Sequence, residues 1–488
     1  MSKAIIIGSG IAGIASALRL NKKGYSVTVF EANAYPGGKL HAFERNGYRF
    51  DAGPSLFTMP WLVDELFELF GLRAKDYFDY SAKKVLCNYF WEDGVEFSAK
   101  SDSSLFIKEA AAQFDTDAKV LSRYLANSRK KYELTAGIFL EKSLHQWKTY
   151  LSTDTLKAIG SLSKLSIHST LDEVNKQYFS DPHLIQLFNR YATYNGSSPF
   201  KTPGIMSMIP HLEMHQGTFF PKGGMHSITK SLFQLAKDQG VEFIFNTPVK
   251  KIDHQDGKVI GISTAQKSYP ADLVVSNMDI FSTYDKLLRD TKKPQRILQQ
   301  ERSSSALIFY WGIRQTFPKL DLHNILFSAD YEEEFRHIFE KKSLYNDPTI
   351  YINITSKDNP KDAPDGKENW FVMINTPGNF GQDWDQLIKT ARVNIIQKIQ
   401  RILGVDIEAL IETESFLDPI AIETRTSSHR GSLYGASSNS KFSAFLRHPN
   451  FSSNIKNLYF CGGSVHPGGG IPLCLLSAKI VNDLIPSL

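Results

Sequence analysis

The segment AIIIGSGIAGIASALRLNKKGYSVTVFE, residues 4–31, decides the fold. Ala4-Ile5-Ile6-Ile7 reads as a short buried strand, Gly8-Ser9-Gly10-Ile11-Ala12-Gly13 as a turn opening into a helix, and the helix runs through Ala17 and Leu20 to a break at Gly24. A second strand over residues 26–30 ends at Glu31. Each part has a mechanical reason. Gly8 permits the tight turn, Gly10 lets the backbone approach a pyrophosphate, and Gly13 lets the helix pack closely on the strands. The helix start then offers its unpaired N–H groups and positive dipole end to phosphate. Glu31, about 20 residues beyond the loop, is placed to accept from ribose hydroxyls and would repel a 2′-phosphate, which excludes NADP here.

Outward from this unit, Pro36-Gly37-Gly38-Lys39 and Phe50-Asp51-Ala52-Gly53-Pro54 point to FAD over NAD. Two glycines just past the acidic residue let the chain lie along an extended cofactor, while Lys39 either neutralises a phosphate or sits on the surface.

A length of 488 residues predicts two or three subdomains. With 42% hydrophobic and 22% charged residues the chain is an ordinary folded protein. Its net charge of +5 is scattered, without the basic blocks that bind nucleic acid, though an anionic membrane surface remains compatible. Cys87, Cys461 and Cys474 form no CxxC pair, which argues against a disulfide framework and a zinc site and fits a reducing cytoplasm. Apolar runs are too short to span a bilayer, so membrane contact is expected to be peripheral.

Residues 61–210 read as mostly helical, with apolar spacing over 61–70 and 121–140. Residues 241–245, 249–254, 259–264 and 273–275 read as short strands, with a turn at Asp256-Gly257. Runs at 307–311, 349–354 and 370–374 predict a second, mostly antiparallel sheet. Aromatic clusters at 191–194, Phe219-Phe220 and 309–311 fit either a core or a long apolar ligand.

Five blocks resemble the carotenoid desaturase branch of the FAD-dependent amine oxidase superfamily. They are the N-terminal fingerprint with Gly37-Gly38-Lys39, the segment 51–60 (DAGPSLFTMP), the segment 217–225 (GTFFPKGGM), the segment 271–279 (ADLVVSNMD) and the tail 458–472 (LYFCGGSVHPGGGIP). Residues 53–60 and 323–335 look more like bacterial hydroxycarotenoid 3,4-desaturases than phytoene desaturases. Cys461, Gly463 and residues 473–476 depart from the commoner tail.

The resemblance implies an α/β architecture: a discontinuous Rossmann-like FAD-binding domain from residues 1–60, 215–285 and 450–488, a helical substrate or lid region over 61–214, and a substrate-binding domain with antiparallel sheet over 286–449. To the fingerprint residues and Glu31 it adds Ala32, Gly53, Pro54, Ser55, Val249, Asn277, Gly463, Ser464, Gly470, Ile471 and Pro472 as cofactor contacts, Val249 through its backbone at the adenine. The expected reaction removes a hydride to flavin N5 and a proton from adjacent carbons, extending the polyene of a hydroxylated or monocyclic carotene. Hydride loss beside a polyene leaves an allylic cation so acidic that a weak base or water suffices, and the protein's part is placement and exclusion of water.

His466 either accepts the proton or is a ring held by backbone hydrogen bonds. Arg190 either meets a substrate hydroxyl or the reduced flavin, or forms a structural ion pair. Neither a metal-ligand cluster nor an internal redox pair stands out, so reoxidation is assigned to oxygen or a quinone. The competing readings are a phytoene desaturase, a carotenoid isomerase, and a non-catalytic prenyl-lipid escort protein. The expected location is the cytoplasmic face of a membrane.

Overall fold

The computed structural model describes residues 2–146, 149, 165–440, 443 and 446–488. The strand Lys3–Ile7 lies at the centre of a five-stranded sheet, paired in parallel with Ser26–Phe30 on one side and Leu273–Ser276 on the other. Glu242–Ile244 extends the sheet beyond the first neighbour and Leu458–Phe460 beyond the second, again in parallel. A parallel sheet is covered on both faces, which is why its central strands are continuous apolar runs without alternation. The helix Ile11–Lys22 lies on it with every residue from Ile11 to Leu20 buried. Its small residues Ala12, Ala15 and Ala17 are at most 1% exposed, and the C-terminal helix Ile471–Leu484 packs against the same helix.

The second sheet has seven strands in the order Ile411–Leu417, Ser305–Ile313, Glu368–Thr376, Ile350–Asn353, His323–Leu326, Val85–Phe90 and Glu96–Lys100. All neighbours are antiparallel except His323–Leu326 with Val85–Phe90. Side chains alternate across a strand. One set, including Phe309, Trp311, Trp370, Val372 and Ile352, packs under the helix Trp384–Leu403. The other, including Ile308, His323, Ile325, Tyr351, Phe371 and Met373, lines an internal cavity.

The region 61–210 is mostly helical among its described residues, as expected, with three short strands that the expectation did not include. It contains the helices Trp61–Glu68, Ser103–Gln113, Ala118–Phe139, Leu171–Tyr178 and Pro182–Asn189, but also the strands Tyr80–Ala82, Val85–Phe90 and Glu96–Lys100. These strands are three to six residues long, and Val85–Phe90 is completed by a partner more than 200 residues away. Local periodicity over so few residues carries little signal. The small strands downstream fall where expected, with Lys251–Gln255, Lys258–Ser263 and Ser268–Pro270 forming a three-stranded sheet. Its first hairpin turns at Asp256 and Gly257, both at positive φ, as a two-residue turn requires. Among the described residues no helix is long and apolar enough to cross a membrane.

Candidate functional site

One cavity of about 1110 Å³ runs from the N-terminal glycine loop to the face of the seven-stranded sheet. At the loop end Gly8 N–H donates to Phe30 O (2.8 Å), closing the turn between the first two strands. A Cβ on Gly13 would stand 2.1 Å from Gly8 O, and one on Gly10 would stand 2.7 Å from Asn277 Oδ1. At Gly13 the clash is with fixed backbone, and at Gly10 a side chain would displace the Asn277 amide that accepts from Gly13 N–H. The helix that follows has Gly10 at its N-cap and no side-chain cap. Its start is thus left to an anionic ligand.

Glu31, 5% exposed, ends the second strand. Its Oε2 accepts from Ser9 N–H and Ser9 Oγ (2.8 Å each), and its Oε1 from the backbone N–H and Nδ2 of Asn33 (2.9 Å each). A carboxylate has about four acceptor sites, so all are taken. Ribose hydroxyls fit by replacing the two side-chain donors, Ser9 Oγ and Asn33 Nδ2, which can rotate away.

Asn277 joins three segments: its Oδ1 accepts from Gly13 N–H (3.2 Å) and its Nδ2 donates to Cys461 O (3.2 Å). Lys39 is neither on the surface nor paired with an acid. Its Nζ donates to Ser432 O and Leu433 O (2.9 Å each), and burial lowers its pKa to about 8. Arg447 likewise donates to Tyr434 O (2.7 Å) and Gly463 O (3.3 Å), and burial lowers its pKa to about 10. Among the described residues neither cation has a carboxylate hydrogen-bond partner. Their charge therefore favours negative charge on whatever occupies this part of the cavity.

Of the residues expected to touch the cofactor, Gly8, Gly10, Ile11, Ala12, Glu31, Ala32, Gly37, Gly38 and Lys39 line the cavity. So do Gly53, Pro54, Ser55, Val249, Asn277, Gly463, Ser464, Gly470, Ile471 and Pro472. Ser9 and Gly13 sit behind them, Ser9 holding Glu31 and Gly13 holding Asn277. The glycine cradle, the acidic residue and the two acid-free cations fit an extended dinucleotide.

His466 lines the cavity at 2% exposure. Its Nε2 lies 2.9 Å from Lys142 O, and burial lowers its pKa to about 4. The ring is neutral near pH 7 and Nε2 carries its proton toward that carbonyl, leaving the Nδ1 lone pair. Arg190 also lines the cavity, with Nη2 2.6 Å from Glu213 Oε2, Nε 2.8 Å from Tyr89 OH and its guanidinium over the Tyr191 ring at 4.4 Å. Glu213 further accepts from the hydroxyls of Tyr191 (2.6 Å) and Tyr194. Together these groups form a buried polar cluster on the wall of a chamber whose other walls are largely apolar.

Sequence reasoning passed over Glu213, His323 and Tyr351, all of which line the cavity. Glu213 had one visible signal, an acid within the apolar run 205–214. His323 and Tyr351 had the two-residue alternation that puts them on one sheet face with Ile325 and Met373.

Fold and site define an FAD-dependent oxidoreductase. The chain belongs to the flavin containing amine oxidoreductase family, which it matches over residues 11–485. It is 62% identical over 487 residues to a 1-hydroxycarotenoid 3,4-desaturase of Flavobacterium sp. (strain P99-3), covering 100% of this chain and 99% of that one. It is 30% identical to a phytoene desaturase of Fusarium fujikuroi, covering 99% and 88%. Among solved structures it resembles an oxidoreductase from Methanosarcina mazei with a TM-score of 0.62 at 16% identity, over 99% of this chain and 100% of that one, a likeness of fold.

Proposed function

We propose that the protein catalyses the FAD-dependent 3,4-desaturation of a hydroxylated carotene in carotenoid biosynthesis. One observation carries this: the nucleotide cradle opens without interruption into an apolar chamber walled by Ile308, Ile325, Phe371, Met373, Met206 and Leu212. A hydrocarbon there exchanges water for apolar wall, which favours its binding by roughly 25 cal/mol per Å² buried.

Bound FAD supplies the two-electron acceptor for a substrate that loses a hydride and a proton from adjacent carbons. The cradle of Gly8, Gly10, Gly37, Gly38, Glu31 and Lys39 holds the cofactor, and the tail residues Gly463, Ser464, Gly470, Ile471 and Pro472 border its reactive end. The apolar walls keep water away from the reacting carbons. His466, with Nε2 committed to Lys142 O, offers Nδ1 to the departing proton. Arg190, held by Glu213 and Tyr89, keeps the chamber's shape.

Reoxidation falls to an external acceptor, oxygen or a quinone. Peripheral contact with the cytoplasmic face of a membrane would deliver so insoluble a substrate. Trp61, 41% exposed at the start of a helix whose Leu62, Val63, Leu66 and Phe67 are buried, supports such a contact.

The test is the mass and spectrum of the pigment formed from a 1-hydroxylated acyclic carotene by the flavin-loaded protein. Loss of two hydrogens with a shift of absorption to the red is expected. An unchanged hydrogen count would replace desaturation with isomerisation or simple carriage of the lipid.

A further inference from the structure

His323 is 3% exposed, and its ring forms part of the wall of the apolar chamber. Its Nδ1 lies 2.7 Å from Tyr351 OH and 3.3 Å from Asn353 Nδ2, while its Nε2 has no partner among the described residues. The amide Nδ2 of Asn353 can only donate, so Nδ1 is an acceptor. The neutral ring then carries its proton on Nε2, which makes Nε2–H a fixed, buried donor with nothing to bond. A buried donor without an acceptor is disfavoured until a ligand provides one. Arg190, on the same cavity, differs in degree: its guanidinium already donates to Glu213 and Tyr89.

We infer that His323 Nε2–H is the recognition point for the hydroxyl oxygen of the substrate, and that it makes the enzyme prefer a 1-hydroxylated carotene to the same carotene without the hydroxyl. This rests on the desaturase reading above.

The reaction sets a distance that His323 must satisfy. In a 1-hydroxycarotene only two carbon–carbon bonds, each about 1.5 Å, separate the hydroxyl-bearing carbon from the first carbon of the 3,4 bond. Whatever binds the hydroxyl must therefore sit close to the reactive end of the cofactor. His323 meets Tyr351 OH, which lies 2.9 Å from Ser55 Oγ, and both Tyr351 and Ser55 line the same cavity as the cofactor cradle. Ser55 follows Gly53, whose own Cβ position would fall 1.9 Å from the Lys39 carbonyl in the cofactor cradle. The chain Ser55, Tyr351, His323 fixes the imidazole relative to the cradle by two hydrogen bonds. A carotene lacking the hydroxyl leaves Nε2–H unsatisfied, and discrimination of this kind exceeds what an extra methylene provides.

The test compares flavin-loaded wild type, His323→Phe and Tyr351→Phe on a matched pair of acyclic carotenes, one 1-hydroxylated and one not. Both kcat/KM and the dissociation constant of each carotene are measured. His323→Phe keeps ring area and removes the donor, and Tyr351→Phe keeps the donor but frees its orientation. The wild-type preference for the hydroxylated carotene should fall about tenfold in His323→Phe, in binding as well as turnover, and by less in Tyr351→Phe. If wild type desaturates the hydroxylated carotene and soluble His323→Phe or His323→Leu keeps the full preference, the His323 inference is wrong and the desaturase reading stands. If wild type desaturates neither carotene, the reading itself fails.

Discussion

Glu31 Oε2 accepts from both the backbone N–H and the hydroxyl of Ser9, so the end of the second strand is locked onto the glycine loop before any ligand arrives. Removing this carboxylate loosens the loop and deletes the ribose acceptor together. Glu31→Ala should weaken FAD retention at least about tenfold, since bonds to a charged group are each worth about 1.5–3 kcal/mol, and Glu31→Gln should fall between. The flavin-to-protein absorbance ratio after gel filtration measures it.

Gly13→Ala places a methyl carbon 2.1 Å from Gly8 O, against backbone that cannot rotate away. Gly10→Val meets Asn277 Oδ1 at 2.7 Å and bulges toward the phosphate site. Both variants should lose flavin. Gly13→Ala should also lower folding stability by about 1–3 kcal/mol, the usual cost of overpacking, in a urea titration of flavin-free protein.

The Arg190–Glu213 pair is nearly fully enclosed, at 8% and 3% side-chain exposure. Removing one partner strands a buried charge, so Arg190→Met or Glu213→Leu should each cost about 3–5 kcal/mol. The double replacement should cost less than the sum, because no unpaired ion remains, although the Tyr191 and Tyr194 hydroxyls lose their acceptor. Chemical denaturation of the four proteins gives the cycle.

Burial lowers the pKa of His466 and His448 to about 4 and of His323 to about 3, from 6.5 in the unfolded chain. As pH falls below 6.5 the unfolded chain takes up protons that the native state refuses, so stability declines until these native sites titrate near pH 4. Tm should drop between pH 7 and 5, and His448→Asn should flatten the drop. A profile identical to wild type would contradict this account.

The nucleotide half of the site was legible because its determinants are local. Gly8, Gly10, Gly13 and Glu31 are spaced by the geometry of one strand–turn–helix–strand unit, so about 30 consecutive residues carry the whole pattern. The substrate half was only partly legible. Its wall is a sheet face whose members, Ile308, His323, Tyr351 and Met373, meet through pairings that no single segment encodes. Val85–Phe90 shows the limit most clearly: its parallel partner His323–Leu326 makes it a strand of the larger sheet, although it lies in a helix-rich stretch. Arg190 was picked out and Glu213, an acid in an apolar run, was not paired with it, because an ion pair between two short helical turns depends on how those turns pack.

The central strand Lys3–Ile7 is flanked on one side by Leu273–Ser276, which is itself flanked by Leu458–Phe460. A ribosome therefore makes the phosphate loop more than 400 residues before the last strand of the sheet that supports it. The emerging polypeptide must carry an exposed isoleucine-rich edge through most of its synthesis, a state that invites chaperone attention and mispairing. The cofactor cavity is complete only once the tail residues that line it have been made, so flavin supply during maturation should affect the yield of loaded enzyme.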